Sequence, residues 1–139
     1  VIGRFMNYAT AFEVALKVKE LTKTVAEPYS SADFRHGPIA MVKEGFPVIV
    51  ISPTGEVSED VTALIDELIH RKSELILISD DQKLLKLAHL SFEIPPTIPE
   101  WLSPVVAVIP GQLFAFTLAG VKGLDPDRPQ GIHKITETL

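Results

Sequence analysis

Hydrophobic positions along this chain follow two patterns, a three-and-four residue repeat and short continuous runs, and their alternation predicts the elements. From about Asn7 to Ala26 the residues Ala11, Val14, Ala15, Val18, Leu21 and Val25 recur at three and four, which predicts a helix with one apolar stripe. Pro28 and the Tyr29-Ser30-Ser31 run end it, and Asp33 with Phe34 opens a short irregular or helical segment. Pro47-Val48-Ile49-Val50-Ile51 is apolar throughout, as a strand buried on both faces must be. A second helix follows from about Ser58 to Lys72, with Val61, Leu64, Ile65, Leu68 and Ile69 inward. Leu75-Ile76-Leu77-Ile78 reads as the next buried strand and Ser91-Phe92-Glu93-Ile94 as a shorter one. Val1-Ile2-Gly3-Arg4 has the character of a strand end, and about Pro104 to Gly123 forms a last helix kinked at Pro110. Strand and helix alternate through short loops, so the fold class is α/β, a parallel sheet covered on both faces. Residues 1–123 make one domain, and 124–139, rich in Asp, Pro and Gly, form an extended arm.

The first helix carries more than its stripe. Tyr8, Phe12 and Leu16, spaced by four, add a second apolar ridge pointing away from the core. A helix apolar on two sides is sandwiched, here between its own sheet and another domain or subunit. Composition agrees: 46% hydrophobic residues and a mean hydropathy of +0.24 exceed what a self-sufficient monomer of 139 residues needs. A net charge of −5 with no basic run argues against a nucleic-acid footprint. With no cysteine, disulfides, thiolate metal sites and a thiol nucleophile are excluded. Of the longest apolar runs, 47–52 is too short to span a bilayer and 104–121 is broken by Pro110, Gly111 and Gln112, so no membrane segment is expected. There is no signal-peptide pattern, and the chain opens inside a predicted strand, as a fragment would.

Groups able to move protons cluster early in the chain. At about 100° per residue, Glu20 points nearly opposite the apolar stripe, with Lys17 beside it. The same spacing also makes an ordinary surface ion pair, worth roughly 0.2–0.5 kcal/mol. His36 follows at a chain break between Arg35 and Gly37-Pro38, where a neighbouring guanidinium would keep the imidazole neutral and able to give or take a proton. A hydrogen-bonding loop histidine fits the same position. His70, His89 and His133 show no ligand spacing, and Lys134 alone is a charge on a tail.

Lys17-Val18-Lys19-Glu20, the Ala26-Glu27 to Tyr29-Ser30 link, Arg35-His36-Gly37-Pro38 and Gly123-Leu124-Asp125-Pro126-Asp127-Arg128-Pro129 through Lys134 together resemble the SIS (sugar isomerase) family. The likeness covers nearly the whole chain. Within the family it is closest to the second SIS half of the isomerase region in the glucosamine-6-phosphate synthases and their glutaminase-less relatives. The resemblance implies a three-layer α/β/α, flavodoxin-like fold with a five-stranded parallel sheet. It also implies tandem SIS halves that dimerise, in a cytoplasmic enzyme.

By position, the resemblance gives Glu20 as the base that shuttles a proton between sugar carbons 1 and 2, and Lys17 as the charge that steadies the oxyanion and keeps Glu20 ionised. It makes His36 the ring-opening histidine, reaching the site of a neighbouring subunit, and Lys134 the Schiff-base lysine on a tail that closes over substrate. The reaction implied is hexose-6-phosphate aldose–ketose isomerisation coupled to amino transfer, with fructose 6-phosphate as substrate. It needs neither metal nor organic cofactor. A deaminase-type amino-sugar-phosphate isomerase and a non-catalytic sugar-phosphate-binding module are the alternatives. The tail Lys134-Ile135-Thr136-Glu137-Thr138-Leu139 and the loop Ser30 to Arg35 depart from the synthase pattern, towards the glutaminase-less relatives. Ser52-Pro53-Thr54-Gly55-Glu56-Val57-Ser58 stands where the family holds phosphate, which offers Ser52, Thr54 and Gly55, with His133 from the tail, as weaker substrate contacts. Glu56, Glu59 and Asp60 would repel a dianion there, and with Ser58 as N-cap the segment also reads as ordinary capping. The phosphate is therefore expected mainly in the other SIS half, and the isolated chain is expected to be inactive.

Overall fold

The computed structural model describes residues 1–129 and 131. Its strands are β1 (Ile2–Gly3), β2 (Tyr29–Ser30), β3 (Pro47–Ser52), β4 (Glu74–Ser79) and β5 (Leu90–Glu93). The helices are α1 (Asn7–Thr22), α2 (Ser31–Arg35), α3 (Ser58–His70), α4 (Gln82–Leu85) and α5 (Ser103–Val121), with 3-10 turns at Pro38–Met41 and Glu100–Leu102. The strands form one parallel sheet in the order β2-β1-β3-β4-β5. Side chains alternate along each strand, so the apolar runs of β3 and β4 feed both faces at once. Val48, Val50, Leu75 and Leu77 pack under α2, α3 and α4 with Phe34, Leu64 and Leu68. Ile49, Ile51, Ile76 and Ile78 pack under α1 and α5 with Val14, Val18 and Ala115. The expected three-layer α/β/α fold is present.

Several boundaries move for identifiable reasons. The first helix stops at Thr22 rather than near Ala26, because Lys23 takes a left-handed conformation at φ 54°. That change of direction takes Val25 out of the apolar stripe and leaves it 85% exposed. Ile69, expected inward, is also exposed. Two elements escaped the hydrophobic pattern: β2 is only two residues long and pairs with β1 alone, and α4 is a single turn capped by Asp81. The N-cap of α3 is Val57, not Ser58, whose hydroxyl instead donates to the Gly55 carbonyl at 2.8 Å.

The layer of α1 and α5 has an unusual distribution of sizes. In α5 the residues facing inward are Ser103, Ala107, Gly111, Ala115 and Ala119, small and spaced by four. The large ones, Val105, Ile109, Leu113 and Phe116, face outward and are each more than half exposed. By length and composition Glu100–Val121 could cross a membrane, with a mean hydropathy of 1.8. Here its small-residue stripe lies against α1 and β4. Small side chains let the two helices approach until Gly111 meets Val14, and a Cβ on Gly111 would sit 2.3 Å from a Val14 methyl. Asn7 donates to Ser103 Oγ at 2.8 Å at one end of the pair, and Lys122 reaches the Thr22 carbonyl at 2.8 Å at the other. Phe12 and Leu16 of α1 are exposed beside the α5 row, so the predicted outward ridge is the edge of a wider apolar face.

Gly111→Ala tests this contact. Helix propensity alone would favour alanine by up to about 1 kcal/mol, but Val14 is stiff, fully buried and in the way. The expected result in urea titration is a net loss of about 1–2 kcal/mol, partly relieved when Val14→Ala is added in a double-mutant cycle.

Candidate functional site

Lys17 and Glu20 sit one turn apart on the side of α1 turned away from the sheet, and Lys17 Nζ donates to Glu20 Oε2 at 2.7 Å. Each side chain keeps about a third of its surface exposed, at 31% and 30%. Glu13, one turn earlier, places Oε1 3.9 Å from the same ammonium. The hydrogen bond to Glu20 raises the Lys17 pKa above its ordinary value; burial opposes it, and the charges of Glu20 and Glu13 add to the rise. Lys17 therefore stays protonated well past neutral pH. It faces Glu20 as a fixed positive charge, the partner an ionised carboxylate needs.

His36 lies elsewhere. It is exposed at the C-terminal end of α2, its backbone N–H bonded to the Asp33 carbonyl at 3.1 Å. Through Phe34, α2 packs on the sheet face opposite α1. A single copy of this chain thus does not bring His36 to Lys17 and Glu20. Arg35 does not serve His36 as the sequence suggested. Its guanidinium turns to α3 instead, donating to Asp60 Oδ1 at 2.9 Å and to the Asp60 carbonyl at 3.0 Å, while Ser31 donates to Asp60 Oδ2. Asp60 thereby pins α2 to the start of α3. Lys134 and His133 lie outside the described residues.

The loop between β3 and α3 is already supplied with anions from the chain itself. Thr54 donates both its backbone N–H, at 2.7 Å, and its hydroxyl, at 2.9 Å, to Asp80 Oδ1. The Glu56 N–H donates to Glu100 Oε2 at 3.1 Å. Glycine at 55 leaves room for this carboxylate, since a Cβ there would fall 2.3 Å from the Glu100 carboxyl carbon and the side chain would have to shift. The Ser52 hydroxyl is buried with no partner among the described residues. Hence two carboxylates occupy the donors that Thr54 and its neighbours would present to a phosphate. Sequence reasoning recognised the acidity of this loop but missed Asp80 and Glu100, which act from 26 and 44 residues away. Adjacent to a strand end, Asp80 carried a weak signal; Glu100 carried none.

The cavities point the same way. An apolar hollow of about 360 Å³ is lined by residues from both faces of the sheet, among them Ile2, Tyr29 and Phe34 on one side and Val18 and Phe114 on the other, and includes neither Lys17 nor Glu20. On the outward flank of α1, a shallow hollow of about 460 Å³ is lined by Phe12, Glu13, Leu16, Lys19, Glu27 and Pro28. The charged face of α1 therefore opens outward, towards whatever covers that helix.

Comparison with known proteins adds four findings. The SIS domain family model matches residues 1–122. A glutamine–fructose-6-phosphate aminotransferase [isomerizing] of Pyrococcus horikoshii is 40% identical over 133 residues, which is 96% of this chain but 22% of that relative. Among solved structures, the C-terminal domain of the glucosamine–fructose-6-phosphate aminotransferase from Francisella tularensis superposes with a TM-score of 0.79 at 31% identity, over 89% of this chain and 35% of that one. A glucosamine-6-phosphate deaminase from Thermotoga maritima superposes with a TM-score of 0.73 at 26% identity, over 96% of this chain and 38% of that one. The chain thus spans about a fifth of the length of the curated relatives it matches.

Two measurements check the site. The side-chain titration of Lys17 by NMR should have a midpoint above that of an ordinary lysine and fall back towards it in Glu20→Gln. In Glu100→Ala, hydrogen exchange at the Glu56 amide should quicken, with a stability loss of about 0.5–1 kcal/mol for one exposed hydrogen bond.

Proposed function

We propose that this chain, which belongs to the SIS domain family, is the second SIS half of a longer enzyme that converts fructose 6-phosphate and an amino donor to glucosamine 6-phosphate. The observation that carries the proposal is the Lys17–Glu20 pair, a carboxylate held against an ammonium on the outward side of α1. The identity to an isomerizing aminotransferase over 96% of the chain supports the substrate class.

In this reading the Glu20 carboxylate removes a proton from one of two adjacent sugar carbons and returns it to the other. Lys17 stands beside that carboxylate as its counter-charge and offsets the negative charge that develops on the neighbouring oxygen. His36 opens the sugar ring in the site of a second copy, a role supported by its exposure on the face remote from Glu20. Lys134 forms the Schiff base with the ketose carbonyl from the tail, and His133 accompanies it. Substrate phosphate is held by the other half, since the donors around Thr54 and Gly55 are taken by Asp80 and Glu100. The outward faces of α1 and α5 supply contact surface for that half and for the second copy, and the assembled enzyme works in the cytoplasm.

Deamination of glucosamine 6-phosphate is the second reading, favoured by the likeness to the Thermotoga maritima deaminase. The two readings separate in an assay of the full-length protein. Glutamine- or ammonia-dependent formation of glucosamine 6-phosphate supports the synthase. Ammonia release from glucosamine 6-phosphate without use of glutamine supports the deaminase. In either case Glu20→Gln should lower kcat by about 10²–10⁴ at unchanged stability. Full activity in that variant would leave Glu20 as a helix-face carboxylate. The 139-residue chain alone should turn over no fructose 6-phosphate.

A further inference from the structure

Lys17 stands between two carboxylates, and the closer one is not the partner that helix geometry favours. A glutamate four residues before a lysine is the better-oriented partner on a helix surface, and Glu13 occupies that position. Yet Lys17 Nζ is 2.7 Å from Glu20 and 3.9 Å from Glu13. The difference has a visible cause on α5. Gln112 Nε2 donates to Glu13 Oε1 at 3.0 Å, and this is the same oxygen that faces the ammonium. The next residue back, Gly111, is the one that meets Val14, itself next to Glu13. The tight Gly111–Val14 contact thus sets where the Gln112 amide can reach.

We propose that Gln112 is a positioning residue: by holding Glu13 it leaves the Lys17 ammonium to Glu20. Without an N–H donor at position 112, Glu13 closes on Lys17, and Glu20 loses both its anchor and its neighbouring charge. The kinetic consequence rests on the enzymatic reading above; the exchange of partners does not.

The test therefore has two arms. In the 139-residue chain the side-chain ¹⁵N resonance of Lys17 reports its partner. In the parent sequence Glu20→Gln should move this resonance and Glu13→Gln should move it little. In the Gln112→Leu background the responses should exchange. If Lys17 continues to answer to Glu20 in Gln112→Leu, the proposal is wrong, whatever the protein catalyses. The second arm assays the full-length enzyme. There Gln112→Leu should lower kcat about tenfold with KM for fructose 6-phosphate within about twofold. Adding Glu13→Gln should restore most of that loss, as should Gln112→Arg, which keeps an N–H donor. A loss that Glu13→Gln does not relieve, or activity within twofold of the parent, overturns it. A parent enzyme with no isomerase activity sinks the functional reading instead and leaves the NMR arm to decide.

Discussion

The close approach of α1 and α5 is the constraint on which the rest of the molecule depends. Two helices can lie this near only if one presents small side chains, and α5 does so at every fourth position from Ser103 to Ala119. The large residues of α5 then have nowhere to go but outward. One geometric choice thus explains a helix that is apolar all round, a domain with a broad uncovered face, and a charged cluster on α1 that includes a residue from α5. The ends of the pair are closed by polar groups, Asn7 with Ser103 and Lys122 with the last turn of α1, so neither helix can slide without breaking hydrogen bonds.

Charge is distributed with a similar division of labour. Carboxylates at the C-terminal edge of the sheet serve the chain itself: Asp60 ties α2 to α3, Asp80 and Glu100 tie down the loop after β3. Those on α1 are different, because Glu13 and Glu20 bracket an ammonium on a surface that opens outward. Half-exposed pairs of this kind add little to stability. Their placement therefore does little to hold the scaffold together.

Much of this was legible in the sequence, and the exceptions are instructive. The runs around Val48 and Leu75 betrayed buried strands, because a parallel strand covered on both faces has no polar side to disguise it. Lys17 and Glu20 could be paired from their spacing alone, since both lie on one helix. Val25 was misplaced because periodicity assumes that a helix continues, and the left-handed turn at Lys23 ends it first. β2 could not be seen, as two residues make no pattern and its existence depends on the register with Ile2 and Gly3. Gln112, Asp80 and Glu100 were missed for a single reason: each acts on a residue far away in the chain, and only the folded sheet brings them into reach.

That distance has a kinetic side. The bonds joining α1 to α5 span 96 residues for Asn7 and Ser103, 99 for Glu13 and Gln112, and 100 for Lys122 and Thr22. Closing loops of that size is entropically costly, so such contacts follow nearer ones in time. The β3–α3–β4 unit, whose pairings join neighbouring segments, is the natural nucleus. The charged face of α1 is then completed in the last act of folding, when α5 docks. A chain that has formed its sheet but not yet seated this helix would hold nearly all of the architecture and still lack the Gln112 amide beside Glu13.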